Sequence, residues 1–159
     1  MKKQCNVSLL LAAVACMVSV AVMVLALFGS GQAEFSPPPF DASAQAGTPD
    51  VPEELGWGEL DTQVFRASVC GHIGMDGSSA DVWLTNPQTN TVWLKLRVLD
   101  TGGRLLGETG LLRPGEYVRS VILDPAPQAG TPVVLKLMAY QPETYYSEGS
   151  VILNTTISE

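Results

Sequence analysis

An uninterrupted apolar run near the amino terminus limits what this chain can fold into. Residues 7–28 contain no charged residue, no proline and no glycine over 22 positions. A helix of that length is about 33 Å long, close to the roughly 30 Å hydrocarbon core of a bilayer. A helix in a soluble domain would carry a polar stripe, whereas this run offers only Ser8 and Ser19. We therefore predict one transmembrane helix, in contact with membrane lipid, over residues 7–28.

The charges on either side of this run orient it. Lys2 and Lys3 precede it, and the first basic residue after it is Arg66. Lys and Arg stay preferentially on the cytoplasmic side of a membrane helix. We therefore expect residues 1–6 to be cytoplasmic and everything after the helix to be extracellular, as in a single-pass protein of the cell membrane.

Two alternatives to an uncleaved anchor are open. Small residues at 31–33 could precede a signal-peptide cut at Glu34, which would make the protein secreted. The apolar part of a signal peptide spans only about 7–15 residues, so the length favours the anchor. A lipoprotein site at Cys16 is less favoured, because residues 13–15 match the required pattern only loosely.

The composition changes abruptly after the apolar run. Residues 29–61 contain five prolines, seven acidic residues and no basic ones. So little apolar surface cannot offset the entropy of ordering the chain, and proline and like charges extend it. We predict an acidic extracellular tether here. Trp57 is expected to pack on the following domain or to begin its first strand; the alternative is a position at the membrane interface.

Residues 62–159 show short alternating segments separated by Gly, Pro, Asn and Asp, with no helical period of useful length. The fold class predicted is all-β: a seven-stranded antiparallel sandwich of the immunoglobulin-like or fibronectin-III-like kind. The expected strands are 63–69, 80–85, 91–99, 104–109, 117–123, 133–140 and 150–157.

The alternation also predicts a register for the strands. If 80–85 and 91–99 form a hairpin, Trp83 faces Trp93, and Lys95 lies between two acids, one of which is Glu108. The next turn would place Arg97 opposite Leu106. The opposite face is apolar and must turn inward, since a slip by one residue would bury the charges. That inward set is Val82, Leu84, Val92, Leu94, Leu96 and Val98, and in a later strand Val118, Ser120 and Ile122.

Few residues in this chain could carry chemistry. His72 is the only histidine and lies in a Gly-rich turn, and no phosphate-binding loop or Cys-x-x-Cys is present. Acid pairs such as Asp76 with Asp81 supply too few oxygens for calcium. The net charge of −7 argues against nucleic acid as a partner. We therefore expect no enzyme activity, no cofactor and no metal.

Cys70 is predicted to have no disulfide partner within the chain. Cys5 falls on the expected inner side and Cys16 within the membrane. An unpaired outer thiol is either buried as a small apolar residue or linked to another chain. Its place beside Val69 in a strand favours burial.

The predicted interaction surface is an outward pair of tryptophans with its neighbours, namely Trp83, Trp93, Lys95, Arg97 and Leu106. Exposed paired rings would form a flat platform for a sugar or a protein. The alternative is ordinary cross-strand packing, or cover by another part of the chain or a second copy.

Turn-forming residues separate the expected strands at 86–90, 100–106, 112–117 and 140–144. With the anchor and the acidic spacer, residues 80–159 resemble the small membrane-anchored surface proteins of Gram-positive bacteria that display one immunoglobulin-like domain. This resemblance implies a binding or structural role at the cell envelope, with an envelope protein or glycan as partner and no catalytic residues. The alternatives are a cell-wall carbohydrate-binding module and an accessory subunit that docks on a membrane complex through residues 7–28.

Overall fold

The structure is a computed structural model that describes residues 35–158. The predicted transmembrane helix lies outside these residues. No helix within them is long and apolar enough to cross a bilayer.

The described residues form an antiparallel β-sandwich, which confirms the predicted all-β class. In chain order the strands are β1 (Gln45–Ala46), β2 (Trp57–Asp61), β3 (Arg66–Cys70), β4 (Gly74–Asp76), β5 (Ser79–Asn86), β6 (Trp93–Asp100), β7 (Leu105–Glu108), β8 (Glu116–Ile122), β9 (Pro132–Tyr140) and β10 (Ser147–Thr156), with one 3-10 turn at Glu53–Leu55. One sheet has the order β1-β8-β5-β3-β2, with β4 also paired to β5, and the other has the order β10-β9-β6-β7. The immunoglobulin-like subtype stays a prediction.

The core lies between the two sheets and is built from the predicted apolar stripe. Val82 and Leu84 of β5 and Leu94, Leu96 and Val98 of β6 are all fully buried. Each such side chain contributes about 1.5–3 kcal/mol through the apolar surface it removes from water. The alternation of β5 and β6 therefore predicted correctly which residues face inward.

The predicted hairpin between β5 and β6 is wrong, because the two strands belong to different sheets. Thr85 of β5 lies opposite Tyr117 of β8, and Trp93 of β6 lies opposite Tyr140 of β9. The alternation of apolar and polar residues determines which face of a strand is buried. It does not determine the partner, because such a strand can pair with any other strand that has one apolar and one polar face. The segment after Asn86 carries the chain from one sheet to the other.

This crossing between the sheets is held by a buried amide. Asn86 is fully buried, and its Nδ2 donates to the carbonyls of Val92 and Leu112, at 2.9 Å each. Its Oδ1 accepts a hydrogen bond from Nδ2 of Asn90 at 2.7 Å. The side chain at the end of β5 is thus bonded to residues flanking β6 and to a segment paired with it.

The predicted pairing of Arg97 with Leu106 is also wrong. Arg97 lies opposite Glu108, and Leu99 lies opposite Leu105, with an irregularity between them. That irregularity skips Leu106, which turns into the core and is 6% exposed. A one-residue bulge reverses the inward and outward alternation of whatever follows it.

A second bulge overturns the expected orientation of Ile122. The register of β5 on β8 shifts between Asp81 and Leu84, beside Trp83. Beyond that shift Val121 is buried, whereas Ile122 is 63% exposed. The inward set predicted for this strand therefore holds at Val118 and fails at Ile122.

Part of the predicted tether belongs to the sandwich. Within the described residues the compact unit begins at Pro37, and it includes β1 and β2. Trp57 begins β2, as expected, and its indole Nε1 donates to the carbonyl of Trp83 at 3.0 Å. Asp41 accepts a hydrogen bond from the Gly110 amide at 2.7 Å. Residues 37–61 thus fold onto the strands that follow them.

We predict that Asn86→Ala destabilises the protein by about 2–4 kcal/mol, because the buried Val92 carbonyl loses its Asn86 donor and the Leu112 carbonyl keeps only the Leu94 amide. Chemical denaturation followed by tryptophan fluorescence measures this loss. The matched control is Asn154→Ala on the exposed side of β10, which should change the unfolding free energy by less than about 0.5 kcal/mol. Equal losses in the two variants would contradict the role given to Asn86.

Candidate interaction surface

The five residues of the predicted surface do not lie together. Trp83 is in the sheet that contains β5, Leu106 is buried, and the other three lie on β6. Trp93, Lys95 and Arg97 alternate with the fully buried Leu94 and Leu96, so they lie on the outer face of the four-stranded sheet. The expected pairing of Trp83 with Trp93 is wrong, for the reason that the hairpin is wrong.

Trp83 packs within its own sheet. Its ring is stacked on Tyr117 at 6.2 Å between centroids, and the Arg119 guanidinium lies 5.3 Å from the ring centre. Its backbone has a φ of 46°, in the left-handed region that a bulky residue rarely adopts. The bulge described above imposes this conformation. Trp83 is half-buried by these contacts and does not form an open platform.

Trp93 is enclosed by an aromatic cluster. Phe40 meets its ring edge-on at 4.8 Å, and the Tyr145 ring lies 5.2 Å away. The Arg113 guanidinium caps Phe40 at 3.6 Å from the ring centre. Sequence reasoning missed this cluster because Phe40 falls in the predicted tether. Trp93 is therefore covered by other parts of the chain, which was one of the alternatives to an exposed platform.

Lys95 and Arg97 share one carboxylate. Lys95 is 5% exposed, and its Nζ donates to Oε1 of Glu108 at 2.6 Å. The predicted contact of these two residues is thus confirmed, but the predicted register is wrong, because Glu108 lies opposite Arg97. The second acid expected beside Lys95, Asp81, is in the other sheet. Arg97 Nε donates to Oε2 of Glu108 at 2.8 Å. Burial raises the pKa of Glu108, but the hydrogen bonds and charges of Lys95 and Arg97 outweigh it, so the pKa lies below its ordinary value.

Lys136 stands apart from the other basic residues. It lies on β9 directly opposite Arg97 of β6. Within residues 35–158 it is the one Lys or Arg without an ion pair, whereas the others each contact an acid, namely Arg66, Lys95, Arg97, Arg104, Arg113 and Arg119. Like charges facing each other across strands destabilise a sheet. Arg97 and Lys136 therefore leave an excess of positive charge on this face.

An apolar row lies next to these two cations. Leu99 of β6 is opposite both Leu105 of β7 and Val134 of β9. Leu105 is 44% exposed, and the other two are half-buried. We call the five residues Arg97, Leu99, Leu105, Val134 and Lys136 the basic face. It combines two cations, one of them unpaired, with three accessible aliphatic side chains.

The opposite sheet carries a cleft of about 330 Å³. Trp57, Glu59, Ser68 and Gln88 are among the residues that line it. The hydrogen bond from Trp57 to Trp83 fixes the orientation of the Trp57 ring in this cleft. It therefore offers one aromatic surface with a carboxylate and an amide beside it.

Two reactive residues singled out by the sequence lie outside both surfaces. Cys70 is fully buried and free, as expected; burial first, and then the charge of Asp81, raise its pKa to about 12. His72 lies in an exposed bend, as expected. Among the described residues no group of three or more His, Cys, Asp or Glu is placed to hold a metal ion.

No protein-family model and no curated protein matches this chain. Among solved structures, the chain is similar to CopC from Methylosinus trichosporium OB3b, at 15% sequence identity and a TM-score of 0.37. The similarity covers 64% of this chain and 93% of that chain. A likeness of this size carries no inference about function.

We predict that Glu108→Gln weakens the acid sensitivity of the fold. Because the pKa of Glu108 is lowered on folding, its stabilising contribution is present above the ordinary value of 4.5 and is lost as pH falls through the lowered value. The free energy of unfolding, measured by denaturation from neutral pH down to acid, should therefore decline less in the variant.

The control is Glu148→Gln, since Glu148 forms no ion pair with the described residues. This variant should decline with pH as the parent protein does. A Glu108→Gln protein that loses stability as steeply as the parent would contradict the assignment.

Proposed function

We propose that this protein is a non-catalytic binding module displayed on the outer side of the cell membrane. Residues 7–28 anchor it in the lipid, residues 1–6 remain inside, and the β-sandwich binds an acidic partner protein of the envelope. The length of the apolar run and the lysines before it support the anchor and its orientation. The basic face supports the choice of partner.

The observation that carries this proposal is the unpaired Lys136 opposite Arg97. Every other cation of residues 35–158 is paired with an acid, so a lysine that faces another cation and has no acid of its own is a local conflict of the kind that collects at functional sites. A carboxylate from a partner would relieve the repulsion. Two carboxylates on the partner would accept hydrogen bonds from Arg97 and Lys136 and balance the positive charge of this face.

The aliphatic row favours a protein over a glycan at this face. Protein interfaces combine apolar side chains and arginine at their centre. Sugar sites instead use exposed aromatic rings, and on this sheet Trp93 is enclosed by Phe40 and Tyr145. Leu99, Leu105 and Val134 have no ring to stack on a sugar.

The cleft beside Trp57 favours a second candidate, a carbohydrate-binding module. A fixed indole with Glu59 and Gln88 beside it can stack on one sugar ring and hydrogen-bond its hydroxyls. This candidate uses a different sheet from the basic face. The two functions are therefore separable by mutation.

We predict that photo-lysine, a diazirine analogue that keeps the ε-ammonium of Lys136, captures a discrete acidic protein in intact cells when it is placed at position 136. The same probe at Arg119, an exposed cation of the other sheet that is paired with Asp81, is the matched control and should not capture it. Mass spectrometry identifies the adducts. Capture should be lost in a chain that also carries Arg97→Glu, because that change reverses the charge next to the probe.

Similar adducts at positions 136 and 119 would contradict the basic face as the binding surface. Binding to wall glycans that is lost in Trp57→Ala and kept in Lys136→Glu would favour the carbohydrate candidate instead.

We predict that the mature protein stays in the membrane fraction after alkaline extraction and still contains its first residues. Peptide mapping of the extracted chain measures this directly. Protease added to intact cells should remove the sandwich, because the module is proposed to lie outside. A mature chain that begins at Glu34 would contradict the anchor and would make the protein secreted.

A further inference from the structure

Strand β10 is a long edge of the four-stranded sheet, and its outer side is open up to its last residues, where Ile73 bridges Ile157 and accepts a hydrogen bond from the Ser158 amide. It spans ten residues and pairs with β9 along one side. Leu94 exchanges hydrogen bonds with Leu112, so its backbone groups point away from β9. Antiparallel strands alternate the direction of these groups residue by residue. The same alternation holds first in the pairing of β6 with β9 and then in the pairing of β9 with β10. It places the amides and carbonyls of Ser150, Ile152 and Asn154 on the open side of β10.

The central part of this edge lacks the usual protection against pairing, since the one register irregularity of β10 lies at its start, between Ser147 and Gly149. Natural edges carry lysine, proline or several charges, or are very short. Among Ser147–Thr156 the one charged residue is Glu148, and there is no proline. Ile152, in the middle, is 57% exposed. The strand therefore presents a row of free backbone groups with an exposed apolar side chain at its centre.

The other sheet edges differ in this respect. Strand β1 has two residues, and β7 has four with Glu108 at its end. Strand β2 has five residues, of which Glu59 and Asp61 bind Arg66 across the sheet. Of the described edges, β10 is thus the one with the length and the neutrality to accept another strand.

We propose that β10 pairs with β10 of a second copy of this chain, antiparallel and centred on Ile152. In that register Ile152 meets Ile152 of the other copy, and Ser150 meets Asn154. The irregularity between Ser147 and Gly149 and the bridge of Ile73 with Ile157 limit the pairing to this central stretch. No two like charges face each other, and the exposed isoleucine is covered by its own counterpart. The strand is therefore complementary to itself both in charge and in shape.

The pairing joins two four-stranded sheets into one continuous sheet. A two-fold axis perpendicular to a sheet keeps corresponding faces on the same side, because directly opposite residues share a face. Two copies of the basic face would then lie side by side. If the proposed function is correct, the dimer presents two equivalent sites and gains avidity for a partner with repeated acidic segments.

The test uses the full chain in detergent micelles, with Cys5 and Cys16 replaced by Ser and with a single new thiol. Ile152→Cys should give a crosslinked dimer with a short bis-maleimide. Ile122→Cys is the matched control, since Ile122 is also an exposed strand isoleucine but lies on the other sheet, and it should give no dimer. Cys70 is buried and free, and the parent with Cys70 alone reports any background.

A second measurement does not depend on the new thiol. Analytical ultracentrifugation, with the mass of the bound detergent subtracted, should give the parent protein the mass of two chains. Ile152→Lys should reduce this mass to that of one chain, because the two lysines would face each other across the two-fold axis. Ile122→Lys should stay dimeric, and circular dichroism should show that both variants are folded. Equal crosslinking at positions 152 and 122, or a parent of single-chain mass, would overturn the proposal, and neither result bears on partner capture at position 136.

Discussion

The structure depends on how the chain passes from one sheet to the other after Asn86. The buried amide of Asn86 bonds to the carbonyl of Val92, just before β6, and to that of Leu112, in a segment paired with β6. It thereby holds the end of β5 to the opposite sheet, and β5 and β6 lie in different sheets. Each strand instead finds its partners far along the chain, β8 for β5 and β9 for β6. The core follows from this arrangement, because the apolar faces of the two strands then meet across the sandwich rather than side by side.

The same crossing determines the candidate surface. Since β6 pairs with β9, Arg97 is placed opposite Lys136 rather than beside Trp83. Glu108 neutralises Lys95 and Arg97, and no acid of the described chain reaches Lys136. A sheet that pairs its other charges while leaving Lys136 without an acid opposite Arg97 bears a cost in stability. We attribute that cost to the binding of an acidic partner.

The local features of the fold could be predicted from the sequence, and the non-local ones could not. Burial of Val82 and Leu84 follows from alternation, and burial of Cys70 from its place in a strand. Strand partners depend on contacts between distant segments, so the tryptophan pairing failed. Leu106 and Ile122 changed sides because bulges interrupt the alternation. Gly107 inside β7 is a residue type that signals a bulge, whereas β5 carries no such signal beside Trp83. Phe40 was missed because a Pro-rich, acidic segment gave no sign of packing on Trp93.

The most direct test of the central claim is the cross-strand nuclear Overhauser effect from the amide proton of Arg97. Our account places Arg97 opposite Lys136, with its backbone groups directed to β9, so the contact should be to the amide proton of Lys136. A hairpin of β5 with β6 would place Arg97 opposite Ser79 instead. A contact from Arg97 to Ser79, with none to Lys136, would contradict both the sandwich topology and the basic face that depends on it.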